Sequence, residues 1–343
     1  MPVVEIENLT KDFSVGFWKK RPIRALDRLC LQVNRGEIFG FLGPNGAGKS
    51  TTMKILMHLL HPTSGEARIL GEPAGNVAMH QRIGYLPENP YFYDYLTPLE
   101  LLTYMGRLFG LRGEALSRKV DALLESVGLA DARKLQLRKF SKGMVQRIGI
   151  AQALINDPEI VFLDEPMSGL DPLGRMDVRR IIGSLKARGV TVFFSSHVLP
   201  DVEALCDRIA ILNKGRLQEM GALEDILQVR ITGYEVILSG STGAVVDQMR
   251  KMCDEVRPME DRLQIRAGTR ESMQALLAFA FAHKLDLISV NPIRPSLEEH
   301  FKTVVSRQQS IVTPGAPASR RQQREFFQRL LPPGRRRSRG GVK

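Results

Sequence analysis

Residues 43–50 are the part of the sequence that most restricts the fold, and they read Gly-Pro-Asn-Gly-Ala-Gly-Lys-Ser. This run fits the pattern G-x-x-x-x-G-K-[ST] of a phosphate-binding loop. The apolar residues 37–42 before it predict a strand, and residues 51–60 after it predict a helix. Because the loop pattern acts between a strand and a helix, the run predicts an α/β fold in preference to a glycine turn without a ligand.

The loop has the chemistry to hold a nucleoside triphosphate. Its glycines let successive backbone N–H groups turn around a phosphate without a Cβ in the way, and the following helix adds its positive N-terminal end. The Lys49 ammonium is expected to bridge the β- and γ-phosphates, and the Ser50 hydroxyl is expected to bind Mg²⁺. The residues expected to contact the nucleotide are Gly43, Pro44, Asn45, Gly46, Ala47, Gly48, Lys49, Ser50 and Thr51.

The positive charge of the chain is concentrated near its C-terminal end. The 343 residues carry a formal net charge of +12, and residues 307–343 contribute nine of these charges, with ten Lys/Arg against one acid. A basic tail of this kind does not predict a nucleic-acid-binding face on the rest of the chain. Nucleic acid is therefore not the expected partner.

Length and composition set further limits. A chain of 343 residues is too long for one ordinary core, so a large domain and a smaller one are expected. No apolar run reaches the ~20 residues that a membrane-spanning helix needs, and residues 1–5 lack the pattern of a signal peptide, so a cytosolic protein is expected. The isolated cysteines Cys30, Cys206 and Cys253 predict neither disulfides nor a zinc site, but small buried apolar side chains.

Residues 160–165 are Ile-Val-Phe-Leu-Asp-Glu, four apolar residues followed by two acids. Such a run predicts a buried parallel strand that brings carboxylates to the carboxyl edge of a sheet, where ligands of α/β proteins bind. Asp164 is expected to hold Mg²⁺ or its water. Glu165 is expected to orient and deprotonate an attacking water.

Two other predicted strands lead to polar side chains. The segment 83–88 ends at Glu88, and the buried strand predicted at 190–195 is followed by His197. A lone histidine is often structural. The position of His197 at the same sheet edge as the two acids favours a role in the reaction.

The remaining motifs lie on predicted helices and turns. Apolar residues of 97–128 recur at helical spacing, which predicts an all-helical insert. Residues 140–144, Phe-Ser-Lys-Gly-Met, open a further helix, and residues 168–172 form a turn into another. Residues 13–21 predict a polar hairpin or loop whose aromatic side chains either stack on a nucleobase or pack within the loop.

In this order, the motifs resemble those of the nucleotide-binding subunit of ATP-binding-cassette (ABC) transporters, over roughly residues 3–230. They look most like the bacterial branch that works with separate membrane subunits, often in export. The resemblance implies a P-loop NTPase cassette with a mixed sheet core, an antiparallel β subdomain and a helical insert at about residues 89–155.

The resemblance also implies roles for individual side chains. Phe13 matches the aromatic residue that stacks on adenine, and His197 matches the switch histidine that contacts the γ-phosphate. Asp164 and Glu165 match the Mg²⁺-organising and general-base acids, and Asp171 matches the residue that links the two sites of a dimer. The signature motif, which closes over ATP held by the other subunit, is matched by Ser141, Lys142, Gly143 and Met144.

Two positions depart from the usual family pattern. Glu88 stands where a glutamine usually senses the γ-phosphate, so it keeps an oxygen for Mg²⁺ or water but adds a negative charge. The signature is usually Leu-Ser-Gly-Gly-Gln, and Lys142 here replaces a glycine beside the phosphates. Both variants are similar to those of the export branch, so hydrolysis is expected and its rate stays open.

The C-terminal third of the chain predicts two further regions. Residues 231–306 predict a small α/β domain without catalytic motifs, which is expected to regulate the ATPase or to support a dimer. Residues 307–343 predict a disordered basic tail. Within it, residues 320–331 favour a short helix with Phe326 and Phe327 near one face, which predicts contact with anionic lipid as the alternative to a solvated tail.

Together these features predict an ATPase that drives transport, preferably export, through separate integral membrane subunits at the cytoplasmic face of the cell membrane. A homodimer is expected to trap two Mg²⁺-ATP head to tail and to act on the membrane helices through Glu88 and residues 89–130. The rival interpretation is a soluble ABC ATPase acting on nucleic acid or ribosomes, but the sequence has neither a second cassette nor a long coiled coil. A non-hydrolysing regulatory cassette is disfavoured by Glu165 and His197.

Overall fold

A computed structural model of the chain describes residues 2–16, 21–227, 232–240, 246, 248–250, 253–259, 261–293, 296–298, 300–302, 304 and 306. The chain divides into two compact units, Met1–Lys302 and Thr303–Lys343. The predicted tail, residues 307–343, lies outside the described residues. The second unit is described only at residues 304 and 306, which are helical.

The described strands of the first unit form three sheets. In chain order the strands are β1 Pro2–Val15, β2 Arg21–Asn34, β3 Ile38–Leu42, β4 Ser64–Ile69, β5 Glu72–Pro73, β6 Ile83–Leu86, β7 Ile160–Leu163, β8 Thr191–Ser196, β9 Arg208–Asn213, β10 Arg216–Ala222, β11 Gly233–Ser239, β12 Glu255–Met259, β13 Arg262–Ala267 and β14 Asp286–Ile293. The described α-helices are α1 Lys49–Leu56, α2 Pro98–Leu108, α3 Gly113–Ser126, α4 Lys142–Ala153, α5 Pro172–Ala187, α6 Leu199–Leu205, α7 Leu223–Ile226 and α8 Arg270–Ala282. Short 3₁₀ helices lie at Val77–Arg82 and Leu137–Lys139.

The central sheet has six strands in the order β10-β9-β3-β8-β7-β6. Strands β9, β3, β8, β7 and β6 run parallel, and β10 closes one edge as an antiparallel strand. Parallel strands are covered on both faces, which explains why β3 and β7 are continuous apolar runs with every residue buried. The ring of Phe193 in β8 packs against Phe39, Phe41 and Phe162 at centroid distances of 5.4, 5.4 and 5.6 Å.

The order of these strands brings the motif segments to one edge of the sheet. Because β3, β6, β7 and β8 are parallel, their carboxyl ends lie on the same side. There β3 leads into residues 43–50, β6 leads towards Glu88, β7 leads into Asp164 and Glu165, and β8 leads into His197. The predicted parallel strand at 160–163 is confirmed.

A second, antiparallel sheet has the order β2-β1-β4-β5 and shares one hydrophobic core with the central sheet. Of the two alternatives predicted for residues 13–21, a hairpin or a loop, the described residues favour the hairpin, because β1 continues to Val15 and Phe13 pairs with Ile23 of β2. Cross-strand pairing in this long hairpin extends the strands beyond the segment in which apolar and polar side chains alternate. Residues 17–20 lie outside the described part of the chain.

Two predictions differ from the structure. Helix α1 begins at Lys49, inside the loop motif, and ends at Leu56 instead of residue 60, and His58 then has a φ of 55°. The prediction of buried cysteines is wrong for Cys30, which is exposed, whereas Cys206 is buried. Side chains of β2 alternate between the core and solvent, and Cys30 lies on the outward side, where its sulfur accepts a hydrogen bond from the Asn8 N–H at 3.1 Å.

The segment predicted as a helical insert contains α2, α3 and α4. Helix α2 begins with a capping box, in which the Thr97 hydroxyl accepts the Glu100 N–H and the Glu100 carboxylate accepts the Thr97 N–H. Helix α4 is capped by Ser141, whose hydroxyl accepts the Met144 N–H at 3.3 Å. These caps satisfy N–H groups that the first turn leaves unpaired. None of the described helices is long and apolar enough to cross a membrane.

The third sheet is antiparallel, with the order β12-β13-β11-β14, and α8 packs on one face around a separate hydrophobic cluster. With helical residues at 246 and 248–249 between β11 and β12, this is the order of a split β-α-β arrangement. The sequence does not predict β12, because this edge strand exposes most of its side chains. The helix predicted at 242–252 lies mostly outside the described residues.

Residues after the third sheet contact the part of the chain that follows His197. The Leu297 N–H donates a hydrogen bond to Glu203 of α6 at 2.5 Å. The Nε2 atom of His300 lies 2.6 Å from Glu219 Oε2 on β10. These contacts tie Leu297 to α6 and His300 to the edge of the central sheet.

A substitution of Gly84 in β6 tests how closely α4 packs on the central sheet. A Cβ at this position would lie 2.0 Å from the Ala153 carbonyl oxygen and 2.7 Å from Val161 Cγ1. Because a backbone carbonyl cannot move without shifting the helix, Gly84→Ala should lower the free energy of unfolding by about 3 kcal/mol. Thermal or denaturant unfolding followed by circular dichroism measures the change.

Gly183→Ala in α5 is the matched control. No atom lies within 4 Å of a Cβ added there, so the substitution should raise the free energy of unfolding by about 0.5–1 kcal/mol, as expected inside a helix. If the two variants are equally stable, α4 does not pack against β6 as described.

Candidate functional site

The loop 43–50 leaves β3 and enters α1 beside a cavity of about 400 Å³. Gly46 and Gly48 have φ values of 78° and 110°, which other residues adopt only under strain. Helix α1 begins at Lys49, so its unpaired N–H groups and the positive end of its dipole border the cavity. The cavity is lined by Ala25, Asn45, Gly46, Ala47, Gly48, Lys49, Ser50, Thr51, Glu88 and Glu165.

Lys49 lies buried within the loop and forms an ion pair with Glu165. Its ammonium donates a hydrogen bond to the Gly43 carbonyl oxygen at 2.7 Å and lies 3.1 Å from Glu165 Oε1. The two charged side chains are only 5% and 6% exposed. Buried charges need partners, and this pair connects the loop after β3 to the end of β7.

Asp164 is the most buried acid of the site, at 1% exposure. Its Oδ1 accepts hydrogen bonds from Ser50 Oγ at 3.2 Å and from Ser195 Oγ at 2.6 Å. The Ser195 hydroxyl also accepts the Glu165 N–H at 2.9 Å, so one residue of β8 orients both acids that follow β7. Burial and, to a smaller extent, the charge of Asp164 raise the pKa of Tyr85 to about 12, which keeps that phenol neutral.

Glu165 connects the lysine to the histidine. Its Oε2 lies 2.7 Å from His197 Nδ1, while Oε1 contacts Lys49. The backbone of Glu165 has a φ of 50°, a left-handed conformation that costs a non-glycine residue about 1–3 kcal/mol. The His197 side chain is 42% exposed, so the imidazole is held on one side and open to solvent on another.

The cavity fits the triphosphate and the metal that the sequence predicts. Backbone N–H groups at a helix start and a buried ammonium are suited to phosphate oxygens. Ser50 and Asp164 share a hydrogen bond, and their oxygens are of the type that Mg²⁺ prefers. The described residues contain no group of three or more His, Cys, Asp or Glu that could hold a metal. One or two protein oxygens together with phosphate oxygens therefore form the set that fits Mg²⁺.

The predicted signature residues and Asp171 form a second group, which does not line this cavity. Ser141 caps α4, and Asp171 caps α5 by accepting an N–H of its first turn at 2.8 Å. The Lys142 ammonium lies against Gly169. A Cβ added to Gly169 would lie only 2.2 Å from the Lys142 nitrogen. Residues 141–144 and the turn 168–171 are thus neighbours in the structure.

Two of the remaining predictions have different outcomes. Glu88 lines the cavity, as its position after β6 suggests. Phe13 does not line it, and its half-buried ring lies beside Lys11, whose ammonium is 5.2 Å from the ring centroid. The sequence analysis missed two residues of the site. Ala25 has no reactive group that could have indicated it. Ser195 could have been found from its hydroxyl at the end of a buried apolar strand.

Comparison with known proteins identifies the family. The family model described as ABC transporter matches residues 26–168. The chain is 47% identical to the uncharacterized ABC transporter ATP-binding protein sll0415 of Synechocystis sp., over 87% of this chain and 83% of the relative. It is 37% identical to the bacitracin transport ATP-binding protein BcrA of Bacillus licheniformis, over 82% of this chain and 92% of the relative.

Solved structures agree with the sequence relatives. The dimeric ATP-binding cassette MJ0796, in a post-hydrolysis state bound to ADP and Pi, matches with a TM-score of 0.59 and 26% identity, over 64% of this chain and 98% of that one. The predicted cassette fold and enzyme class are confirmed. The chain therefore belongs to the ABC transporter family, as an ATP-binding subunit with ATPase activity.

Proposed function

We propose that this ATPase drives export through separate integral membrane subunits, and that it works as a homodimer at the cytoplasmic face of the membrane. The observation that carries the proposal is the series of contacts from Lys49 through Glu165 to His197, beside the cavity of the phosphate-binding loop. Similarity to a bacitracin transport protein supports a role in transport. The export direction rests on Glu88 and Lys142, which resemble the residues of the export branch.

Phosphate entry changes the partners of Lys49. The ammonium contacts Glu165 and the carbonyl oxygens of Gly43 and Pro44. A γ-phosphate oxygen competes with the carboxylate for this ammonium, because both form strong charge-assisted hydrogen bonds. The backbone N–H groups around the loop then hold the remaining phosphate oxygens, and Oε1 of Glu165 is released.

The released Glu165 acts as the general base. Its Oε2 stays with His197, which fixes the direction of the carboxylate, and Oε1 accepts the proton of the attacking water. The partly exposed His197 responds to the γ-phosphate, so the base and the phosphate sensor are joined by one hydrogen bond.

Ser50 and Asp164 would hold Mg²⁺, with Glu88 as a further oxygen donor in the cavity. When bound, Mg²⁺ would neutralise negative charge on the phosphate oxygens. Ser195 keeps Asp164 in place when the Ser50 hydroxyl leaves that carboxylate, because it donates an independent hydrogen bond to the same oxygen.

The second group, residues 141–144 with Asp171, acts on the nucleotide of the other subunit. Two chains facing head to tail would bring the signature of one against the loop of the other, and the dimeric cassette among the similar structures supports a dimer. Phe13 stacks on the adenine. Because the closed dimer depends on γ-phosphate contacts, hydrolysis removes the difference in affinity that held it closed.

Glu88 and residues 89–130 transmit this change to the membrane subunits. The side chains of Tyr91, Tyr93 and Tyr95 are 92%, 56% and 59% exposed, which is typical of a contact surface. Residues 1–230 form the ATPase domain. Residues 231–306 form a separate domain that regulates it or supports the dimer, and the separate hydrophobic cluster on the third sheet favours this division.

Glu165→Gln should abolish turnover while ATP binding is retained. The amide keeps the size of the side chain and its hydrogen bonds to Lys49 and His197, but it cannot accept a proton from water, so kcat should fall by at least about 100-fold. The variant should form a stable dimer in Mg²⁺-ATP, measured by size-exclusion chromatography. Glu159→Gln, at the opposite end of β7, is the control and should turn over normally. Wild-type turnover by Glu165→Gln would exclude this general base.

Lys49→Ala should weaken ATP binding by about 2 kcal/mol, which is about thirtyfold in Kd, because a buried charged contact loses one partner. Equilibrium binding of a fluorescent ATP analogue measures the effect. The control is Lys54→Ala, an exposed lysine of the same helix, which should bind normally. Thermal unfolding is measured in parallel, because Glu165 is left buried without its cation. Equal affinities of Lys49→Ala and Lys54→Ala would contradict the role of the loop.

The basic tail, residues 307–343, is proposed to assist docking on anionic lipid. Its basic side chains contribute up to about 1 kcal/mol each near an anionic surface. Deletion of residues 307–343 should leave ATPase activity nearly intact and reduce binding to phosphatidylserine-containing vesicles at low salt, measured by co-sedimentation. Equal binding by both forms would contradict the lipid contact. RNA binding that persists at about 0.2 M salt and is lost with the tail would favour the nucleic-acid alternative.

A further inference from the structure

Asp201 is a buried acid that the proposed reaction does not use. It lies in the first turn of α6, four residues after His197, and is 2% exposed. Arg179 of α5 approaches its Oδ1 with Nε at 3.7 Å, which is too long for a hydrogen bond. The other oxygen, Oδ2, is buried and accepts no hydrogen bond from the residues that the structure describes. Because such an oxygen is costly to bury, packing alone does not explain an acid at this position.

A second arginine of α5 connects Asp201 to the turn 168–171. Arg175 Nε donates a hydrogen bond to the Leu170 carbonyl oxygen at 3.2 Å. Arg175 and Arg179 are four residues apart on α5, so both lie on the face of this helix from which Arg179 approaches Asp201. Burial raises the pKa of Asp201, and the positive charges of Arg175 and Arg179 oppose this rise. Arg175 therefore binds the turn from the face of α5 that is directed towards Asp201.

Helix α6 determines where the histidine lies. Val202 of α6 is fully buried against β3, where a Cβ on Gly40 would lie 3.2 Å from its Cγ1. Only Val198 separates His197 from the first residue of α6, and its N–H is fixed by a hydrogen bond to Ser196 Oγ at 2.9 Å. A shift of α6 relative to α5 therefore moves the imidazole.

We propose that Asp201 is a positioning residue that, through Arg175, joins α6 and His197 to the turn 168–171. In the structure Arg175 binds the Leu170 carbonyl oxygen. When the turn moves on dimer closure, Arg175 exchanges this carbonyl for Asp201 Oδ2, and the histidine and the turn change position together. This inference rests on the proposed function, because the turn and the histidine act together only in an ATP-hydrolysing dimer.

Steady-state ATP hydrolysis by the full-length chain tests the inference in Asp201→Asn, in Arg175→Gln and in the double variant. Each single substitution should lower kcat about tenfold and keep KM for ATP within about twofold, because a small displacement of a reacting group slows the chemistry while the nucleotide contacts remain. The double variant should be no slower than either single variant, since both remove the same contact. Arg180→Gln, an arginine of α5 that is 72% exposed, is the control and should keep wild-type kcat.

A purely structural role of Asp201 would lower the transition temperature and the active fraction, but not kcat per folded molecule. Thermal unfolding measured beside kcat therefore distinguishes a positioning role from a structural one. Wild-type kcat in Asp201→Asn, or losses that multiply in the double variant, would overturn the inference and leave the ATPase intact. If Asp201→Asn does not fold, Arg175→Gln alone decides. An inactive wild-type chain would overturn the proposed function, and the positioning role with it.

Discussion

The buried ion pair between Lys49 and Glu165 is the contact that holds the phosphate-binding loop against the acidic end of β7. Strand β8 separates β3 from β7, so the ends of these two strands are about 10 Å apart, and the contact of Lys49 with Glu165 links the segments that follow them. Removing two charges from water costs free energy that their attraction only partly returns. The strained backbone of Glu165 adds to this cost. Such an arrangement is explained when a phosphate replaces the carboxylate as the partner of the lysine.

The hydrogen bond between Ser50 and Asp164 likewise joins a residue of the phosphate-binding loop to an acid after β7. Lys49 and Ser50, which are proposed to bind phosphate and metal, already have acidic partners within the chain, and a second residue holds each partner: His197 for Glu165 and Ser195 for Asp164. In the proposed mechanism, Mg²⁺-ATP would therefore exchange the contacts of these two side chains and would not have to order free ones. This limits the entropy that binding must overcome, and it keeps both acids in position while their first partners move away.

The sequence predicts the parts of the site whose chemistry is local. The loop 43–50, Asp164 with Glu165, and His197 each follow an apolar run, and a parallel sheet is sufficient to bring the ends of such runs together. Contacts that depend on register or on helix packing leave no local signal. Phe13 lies within β1 because it pairs with Ile23 of β2. Cys30 faces outward because the side chains of β2 alternate between the core and solvent. The environment of Asp201 depends on how α6 packs on α5, which no spacing in the sequence encodes.

The charges around the cavity bear on the proposed dimer. Among the lining residues that the structure describes, Lys49 alone is cationic, against Glu88 and Glu165, with Asp164 directly behind Ser50. The charged side chains at the phosphate-binding loop therefore sum to a negative charge before a triphosphate enters. Attraction to the nucleotide needs positive charge from other groups. Mg²⁺ supplies part of it. The start of α4, with the positive end of a helix and the Lys142 ammonium, is suited to supply the rest from the second chain of the proposed dimer. In the proposed dimer, the charge of Lys142 at the signature motif would offset the negative charge of Glu88.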